Sequence, residues 1–245
     1  MANVFAFVPA RSGSKRIPNK NLVDLNGHPL IAYTLNAARQ AGIFKKIIVS
    51  TDSDAIAEIS STYGSVTNKL RPPEISGEAS PDIEWVKFEL QNVEHENEDL
   101  FMILRPTNPL RESITIISAF ELFSKNQHFD SLRAMRPVKE HPGKMWRRLD
   151  GGLEVTAFNS RINKITGTQD HSSPMQTLEP LLIQDASLEI TTAKSINKHN
   201  TISGSRVMAF EMPGYEGFDI NYPDDLSYLE FLNSTGRITL PNIKI

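Results

Sequence analysis

The chain has 245 residues, 39% hydrophobic and 22% charged, with 26 basic against 29 acidic side chains and a formal net charge of −3. That length and composition fit one large α/β domain, or one domain with an inserted lobe, around a sizeable core. The near-even charge argues against a general nucleic-acid or membrane-surface binder, and the absence of cysteine excludes disulfides, thiolate catalysis and Cys-ligated metals.

In chain order, "NVFAFV" (3–8) is a nearly continuous apolar run, which predicts a strand buried on both faces. "PARSGSKRIPNKN" (9–21) follows it and concentrates Arg11, Lys15, Arg16 and Lys20 in one loop. "PLIAYTLNAARQAG" (29–42) places Leu30, Ile31, Leu35 and Ala38 at helical spacing and stops at Gly42. "KKIIVST" (45–51) predicts a second buried strand, "DSDAIAEISSTYG" (52–64) a capped helix with Asp52 and Asp54 at its start, and "SPDIEWVKFELQNV" (80–93) another helix. The acidic "EHENED" (94–99) reads as a solvated helix end before the strand "DLFMILRPT" (99–107). "ESITIISAFELFSK" (112–125) is helical and "DSLRAMRPV" (130–138) predicts a fourth strand. Short connections between alternating strands and helices are the signature of a mostly parallel, doubly wound sheet.

The rhythm breaks between 137 and 185, where the sequence is polar with scattered glycines and prolines. Met145, Trp146, Val155, Phe158 and "LEPLLI" call for burial there, so the stretch reads as an inserted arm or small lobe of a single 1–245 domain. Regularity returns with "ASLEIT" (186–191), "SRVMAFEM" (205–212) and a helix from Pro223, and the tail "RITLPNIKI" is expected to pack as an extension. No apolar run reaches about 18 residues and no leader pattern opens the chain, so a cytoplasmic protein is expected.

Ligands of open α/β sheets bind beyond the carboxyl ends of the strands. The opening loop sits there, and its Ser12-Gly13-Ser14 segment can bring backbone N–H groups to an anion that four cations attract. A basic surface turn is the plainer alternative; the cations after a buried strand favour phosphate. Neither a G-x-x-x-x-G-K-[ST] loop nor a G-x-G-x-x-G fingerprint is present. The histidines show no zinc spacing, and no G-x-S-x-G elbow supports a serine hydrolase. Arg105 directly follows a buried strand in "LRPTNPLR" (104–111). In "EGFDINYPDDL" (216–226), Asp224 and Asp225 suit the first turn of a helix opened by Pro223. Asp219, with Asn221 nearby, is left as a candidate Mg2+ anchor, because Mg2+ keeps several waters and few protein ligands.

Together these stretches resemble the acylneuraminate cytidylyltransferase family, the CMP-sialic and CMP-nonulosonic acid synthetases. "PARSGSKRIPNKN" is similar to that family's A-R-x-G-S-K-x-x-x-x-K-N signature, and "IIVSTDSDAIAEI", "LRPPE", "LRPTNPLR" and "DINYPDDL" follow in order. The resemblance is good over 3–136, poor over 137–185 and moderate over 186–233. It implies a Rossmann-like nucleotidyltransferase fold with an inserted dimerisation arm. It also implies an enzyme coupling CTP to a nonulosonic (sialic-type) acid, with Mg2+, to give the CMP-sugar and pyrophosphate. A related enzyme for 3-deoxy-octulosonate or a hexosamine phosphate, or a nucleotide binder without catalysis, stays open as an alternative. The same resemblance implies a homodimer, and the charge balance implies no nucleic-acid or membrane partner. Arg11, Ser14 and Lys15 hold the triphosphate, and Lys20 neutralises the α-phosphate. Asn21, Arg71 and Ser80 face cytidine, Asp219 and Asn221 the metal, and Lys144 the sugar. Three departures stand out: Asn221 replaces a second aspartate, Arg105 replaces a glutamine, and Met175 and Ile183 replace arginines. Arg105 is accordingly expected to receive the acceptor's carboxylate, or the acceptor is a different nonulosonic acid.

Overall fold

Apolar runs and glycine stops become alternating strands and helices in the computed structural model, which describes residues 2–243. β1 (Val4–Pro9) leads through a 3-10 turn at Lys20–Leu22 and a short hairpin, β2 (Asp24–Leu25) and β3 (His28–Pro29), into α1 (Leu30–Ala41). There follow β4 (Lys46–Ser50), α2 (Asp54–Ser61), α3 (Asp82–Gln91), β5 (Leu100–Leu104), α4 (Ser113–Ser124) and β6 (Ser131–Pro137). β7 (Trp146–Arg148) and β8 (Val155–Ala157) precede β9 (Leu182–Thr192), α5 (Ala193–His199), β10 (Val207–Glu211) and α6 (Pro223–Ser234). Among the described residues, no helix is long and apolar enough to cross a membrane.

Six strands form one sheet in the order β10-β6-β9-β5-β1-β4. β1 runs parallel to both β4 and β5, and β10 is parallel to β6, whereas β9 is antiparallel to β5. The sheet is thus mostly parallel, with the returning β9 reversed inside it. Alternate residues of β1 serve opposite faces, as a period of two requires. Val4, Ala6 and Val8 enter one cluster with α1, while Phe5 and Phe7 enter another with Trp85 and Val86 of α3. Such a fully covered strand explains the unbroken apolar run, and truncating Phe7 to alanine there costs about 3–5 kcal/mol.

Local chemistry sets the ends of the helices. Gly42 takes φ 66 and its N–H bonds to Arg39 O, a left-handed stop that closes α1 without a Cβ penalty. Ser53 caps α2 by accepting from the Ile56 N–H, which corrects the expectation that Asp52 or Asp54 caps it; Asp54 lies in the first turn. Asp225 accepts from the N–H groups of Asn221 and Tyr222, both at 2.7 Å, and so closes the start of α6. α5 has no counterpart among the elements read from sequence; it is seven residues long and is capped by Thr192, which accepts from Ser195 N. Nor is "EHENED" simply a solvated run. Its Asp99 is buried and accepts from Asn3 N at 2.7 Å and Glu96 N at 3.0 Å, tying this turn to the chain before β1.

The chain divides into two compact units, Met1–Met135 with Asp185–Ile245, and Arg136–Gln184. Within the first, Ile238 and Leu240 of the tail pack against the main cluster and Ile243 is buried; Lys244 and Ile245 lie outside the described residues. The second is held mainly by polar contacts. His141 accepts from Gly143 N at 2.9 Å and reaches Glu179 O at 3.0 Å, and Asn163 Nδ2 donates to Thr177 O at 2.8 Å. β7 and β8 pair antiparallel, and Asp150 and Gly151, both at positive φ, make the turn between them. Of the apolar residues expected to be buried there, Leu178 is, at 7% exposure, whereas Trp146 is 52% and Phe158 55% exposed, and Met145, Val155, Leu181, Leu182 and Ile183 are also exposed. The stretch is too short and too polar to build a core around them.

Candidate active site

Beyond the carboxyl ends of β1, β4 and β5 lies a cleft of about 240 Å3. It brings together Arg11, Ser14, Lys15, Lys20 and Asn21 from the loop after β1, Arg71 and Ser80 from the segment between α2 and α3, and Arg105 from the turn after β5. The loop is pinned at three successive residues. Ala10 N donates to Ser50 O at 2.9 Å, Arg11 O accepts from Asn21 Nδ2 at 3.0 Å, and Ser12 gives both its N–H (2.7 Å) and its hydroxyl (2.9 Å) to the carboxylate of Asp52. Ser14 N turns back onto Ser12 O at 2.8 Å. Two of the amides expected to meet an anion are therefore engaged, whereas the Gly13 N–H has no acceptor among the described residues. Lys15 meets Glu78 at 2.9 Å across the mouth, an exposed pair of little energetic weight.

Lys20 points its Nζ at Ile220 O, 2.9 Å away. Burial lowers its pKa below the ordinary lysine value; Asp219 opposes that shift, and Arg16 and Arg11 add to it. Asp219 stands beside this lysine. Its Oδ2 accepts from Asn221 Nδ2 at 2.5 Å, and its Oδ1 is buried without a partner. No group of three or more His, Cys, Asp or Glu able to hold a metal exists among the described residues. One carboxylate with an orphaned oxygen and one amide oxygen nearby nevertheless fit Mg2+, which is satisfied by few protein ligands and several waters.

Arg71 forms the opposite wall. Its Nε and Nη2 donate to Ser50 Oγ (2.8 Å) and Ser50 O (2.5 Å), and its guanidinium lies over the Trp85 ring, 5.1 Å from the centroid. Burial lowers its pKa to about 10, against the pull of Glu89, Asp52 and Asp82. Ser80 donates to Glu74 O at 3.3 Å. Arg105 is held by Asp82 at 2.5 Å and Glu189 at 3.4 Å, and Glu189 also pairs with Arg133 at 2.9 Å. Burial disfavours the Arg105 charge, yet the two carboxylates outweigh it and raise its pKa. Its charge is thus balanced inside the protein. Lys144 belongs to the Arg136–Gln184 unit, where its Nζ donates to His171 O at 3.0 Å and to Ser173 O.

Sequence reasoning missed Asp82, Trp85 and Glu189, and read Asp52 only as a helix cap. Asp82 binds both Trp85 Nε1 (2.8 Å) and Arg105, so it links the two walls. The only sequence signal for it was an acid in a first helical turn, which the helix dipole explains equally well.

The comparisons with known proteins agree with this geometry. A family model described as cytidylyltransferase matches residues 5–144. The CMP-N,N'-diacetyllegionaminic acid synthase of Legionella pneumophila is 40% identical over 236 residues, covering 94% of this chain and 95% of that one. The N-acylneuraminate cytidylyltransferase of Streptococcus agalactiae is 30% identical over 224 residues, covering 91% of this chain but only 51% of its relative, so the chain spans about half the length of that protein. A solved structure of CMP:2-keto-3-deoxy-manno-octonic acid synthetase complexed with CTP superposes with a TM-score of 0.67 at 13% identity, over 96% of this chain and 100% of the other. That likeness establishes the Rossmann-like nucleotidyltransferase fold. By the matching family model and the extent of its relatives, the chain belongs to the cytidylyltransferase family.

Proposed function

We propose that the protein couples CTP to a nonulosonic acid of the sialic, legionaminic or pseudaminic type, giving the CMP-sugar and pyrophosphate. The observation that carries this reading is the convergence of Arg11, Lys15 and Lys20 on one cleft beside Asp219. The names of the relatives support the nucleotide and the acceptor class.

The triphosphate lies against Arg11, Ser14, Lys15 and the open Gly13 N–H, and cytidine lies towards Asn21, Arg71 and Ser80. The acceptor hydroxyl attacks the α-phosphorus, the bond from that phosphorus to the bridging oxygen breaks, pyrophosphate leaves, and the hydroxyl proton passes to solvent. Lys20, steered by Ile220 O, stabilises the charge that accumulates on the α-phosphate oxygens. Its lowered pKa marks a cation that its surroundings leave undercompensated, so an incoming anion is favoured. Asp219 and Asn221 would hold Mg2+, which would supply further charge neutralisation. Such transfers need little covalent help, and positioning with fixed charge provides most of the acceleration.

Arg105 lines the acceptor side of the cleft with its charge already paired to Asp82 and Glu189, and Lys144 is a candidate for the acceptor by resemblance alone. The exposed Trp146, Leu153, Phe158 and Ile165 of the Arg136–Gln184 unit support a homodimer in which a second copy covers them. The reaction is assigned to the cytoplasm, where CTP is available, with surface-glycan synthesis as its use. The test is pyrophosphate release with each of four nucleoside triphosphates and Mg2+, against a panel of nonulosonic and octulosonic acids. Release with CTP and a nine-carbon acid is expected. Turnover only with an octulosonic acid, or CTP binding without turnover on any acid, would overturn the reading. Light scattering checks the dimer.

A further inference from the structure

The anion-binding loop carries four cations, yet the side chain that grips it most closely is an acid. Asp52 follows β4 and reaches across to Ser12, 40 positions earlier, taking its N–H at 2.7 Å and its hydroxyl at 2.9 Å. The two carboxylate oxygens hold one residue by two separate donors, which fixes both the position and the rotation of Ser12. Ser14 N is in turn folded onto Ser12 O, so the anchor extends two residues further. With Ala10 and Arg11 tied to Ser50 and Asn21, the backbone is immobilised up to Ser12, and the tip from Gly13 to Arg16 carries the free amide and two of the four cations, Lys15 and Arg16.

We propose that Asp52 is a positioning residue for nucleotide binding, holding the loop after β1 in its anion-ready shape before the triphosphate arrives. The alternative roles for a carboxylate here predict different behaviour. As a cap for α2 it is redundant, because Ser53 performs that function. As a direct contact to phosphate it is repulsive. As a metal ligand it would have to share its two oxygens with the two Ser12 donors. What remains is pre-organisation: without the clamp, the loop must be ordered at the moment of binding, and that entropy is subtracted from affinity.

The variants separate these roles. Asp52→Asn keeps an oxygen for the Ser12 N–H and presents an amide N–H to the Ser12 hydroxyl, so the clamp survives while the charge is lost. Asp52→Ala removes it, and Ser12→Ala removes only the hydroxyl half. The proposal rests on the CTP reading, so two readouts are kept apart. Amide hydrogen exchange of residues 10–16 in the nucleotide-free protein is expected to accelerate at least tenfold in Asp52→Ala and to stay near wild type in Asp52→Asn. Calorimetric Kd for CTP is expected to rise about tenfold, roughly 1.4 kcal/mol, in Asp52→Ala, less in Ser12→Ala, and to be retained or improved in Asp52→Asn. The effects of Ser12→Ala and Asp52→Ala should not add. Unchanged exchange in Asp52→Ala, or a Kd that rises as much in Asp52→Asn as in Asp52→Ala, would overturn the proposal. Accelerated exchange in Asp52→Ala, alongside a wild-type protein that binds no CTP, would instead overturn the nucleotide reading and leave the clamp standing.

Discussion

Gly13→Ala should raise stability and lower nucleotide affinity together. Gly13 is not among the glycines at positive φ, and a Cβ built on it meets nothing within 4 Å. Alanine therefore fits the folded loop, and the smaller conformational freedom of the unfolded chain should stabilise the protein by about 0.4–1 kcal/mol. The ligand sees something else. The Gly13 N–H is open, and a phosphate oxygen bonded to it would sit at about 2.9 Å from the nitrogen. A methyl group on the adjacent Cα crowds that oxygen, and losing a charge-assisted hydrogen bond costs about 1.5–3 kcal/mol, roughly a tenfold to hundredfold weaker Kd for CTP. Thermal unfolding with and without CTP, alongside calorimetric binding, reads both numbers on one protein. Gly217→Ala is the contrast: its Cβ would fall 2.6 Å from Asp185 Oδ2, so stability should drop whatever the ligand does. A CTP Kd within about twofold of wild type in a stable Gly13→Ala protein would remove this amide from the phosphate site.

Lys20 gives a pH dependence with opposite signs for two observables. Because burial lowers its pKa in the fold, it sheds its proton at a lower pH than an ordinary lysine, so CTP affinity should fall on the alkaline side earlier than usual. Over that window the unfolded chain binds more protons, so stability should rise with pH; Lys20→Arg should move the affinity loss to higher pH, and a profile that does not move would exclude Lys20 from the site. Arg111 is buried and donates to Thr34 Oγ1 at 2.8 Å, Arg105 O at 3.3 Å and Ser187 O, with burial lowering its pKa to about 10 against Glu216 and Asp185. Arg111→Met removes the donor to these three acceptors and the positive charge near Glu216 and Asp185, and should cost about 1–3 kcal/mol in urea unfolding. Asp219→Asn should abolish Mg2+-dependent pyrophosphate release while the fold melts near its normal temperature; full Mg2+-dependent activity in the variant would place the metal elsewhere.

What could be read in the sequence was local. The run "VFAFV" announces a strand covered on both faces, and Gly42 and Pro223 announce a helix end and a helix start, because the cause lies within a few residues of the effect. The loop after β1 was legible as a site because charge and position are both one-dimensional facts. Its supports were not. Asp52 reaches Ser12 over 40 positions, and Glu189 reaches Arg105 over 84, and no periodicity links such pairs. The same limit explains why Arg105 reads as a free cation in sequence and is a paired one in the fold. The apolar residues of 137–185 were legible as needing cover, but where that cover comes from is not written in the order of residues. α5 escaped because seven residues with one Thr cap give too little pattern to distinguish a helix from a turn.

The reversed strand β9 and the turn at Ile220 have a consequence for the chain as it is made. Lys20 finds its carbonyl partner 200 positions later, and Arg105 and Arg111 find Glu189 and Ser187 only when β9 is laid beside β5. At 5–20 residues per second, the ribosome delivers Ile220 roughly 10–40 s after Lys20. During that interval the nascent chain carries a lysine whose carbonyl partner is still untranslated and, until β9 is made, two arginines that lack part of their partner sets. The basic loop is thus among the first parts of the molecule to be synthesised and among the last to reach its working form.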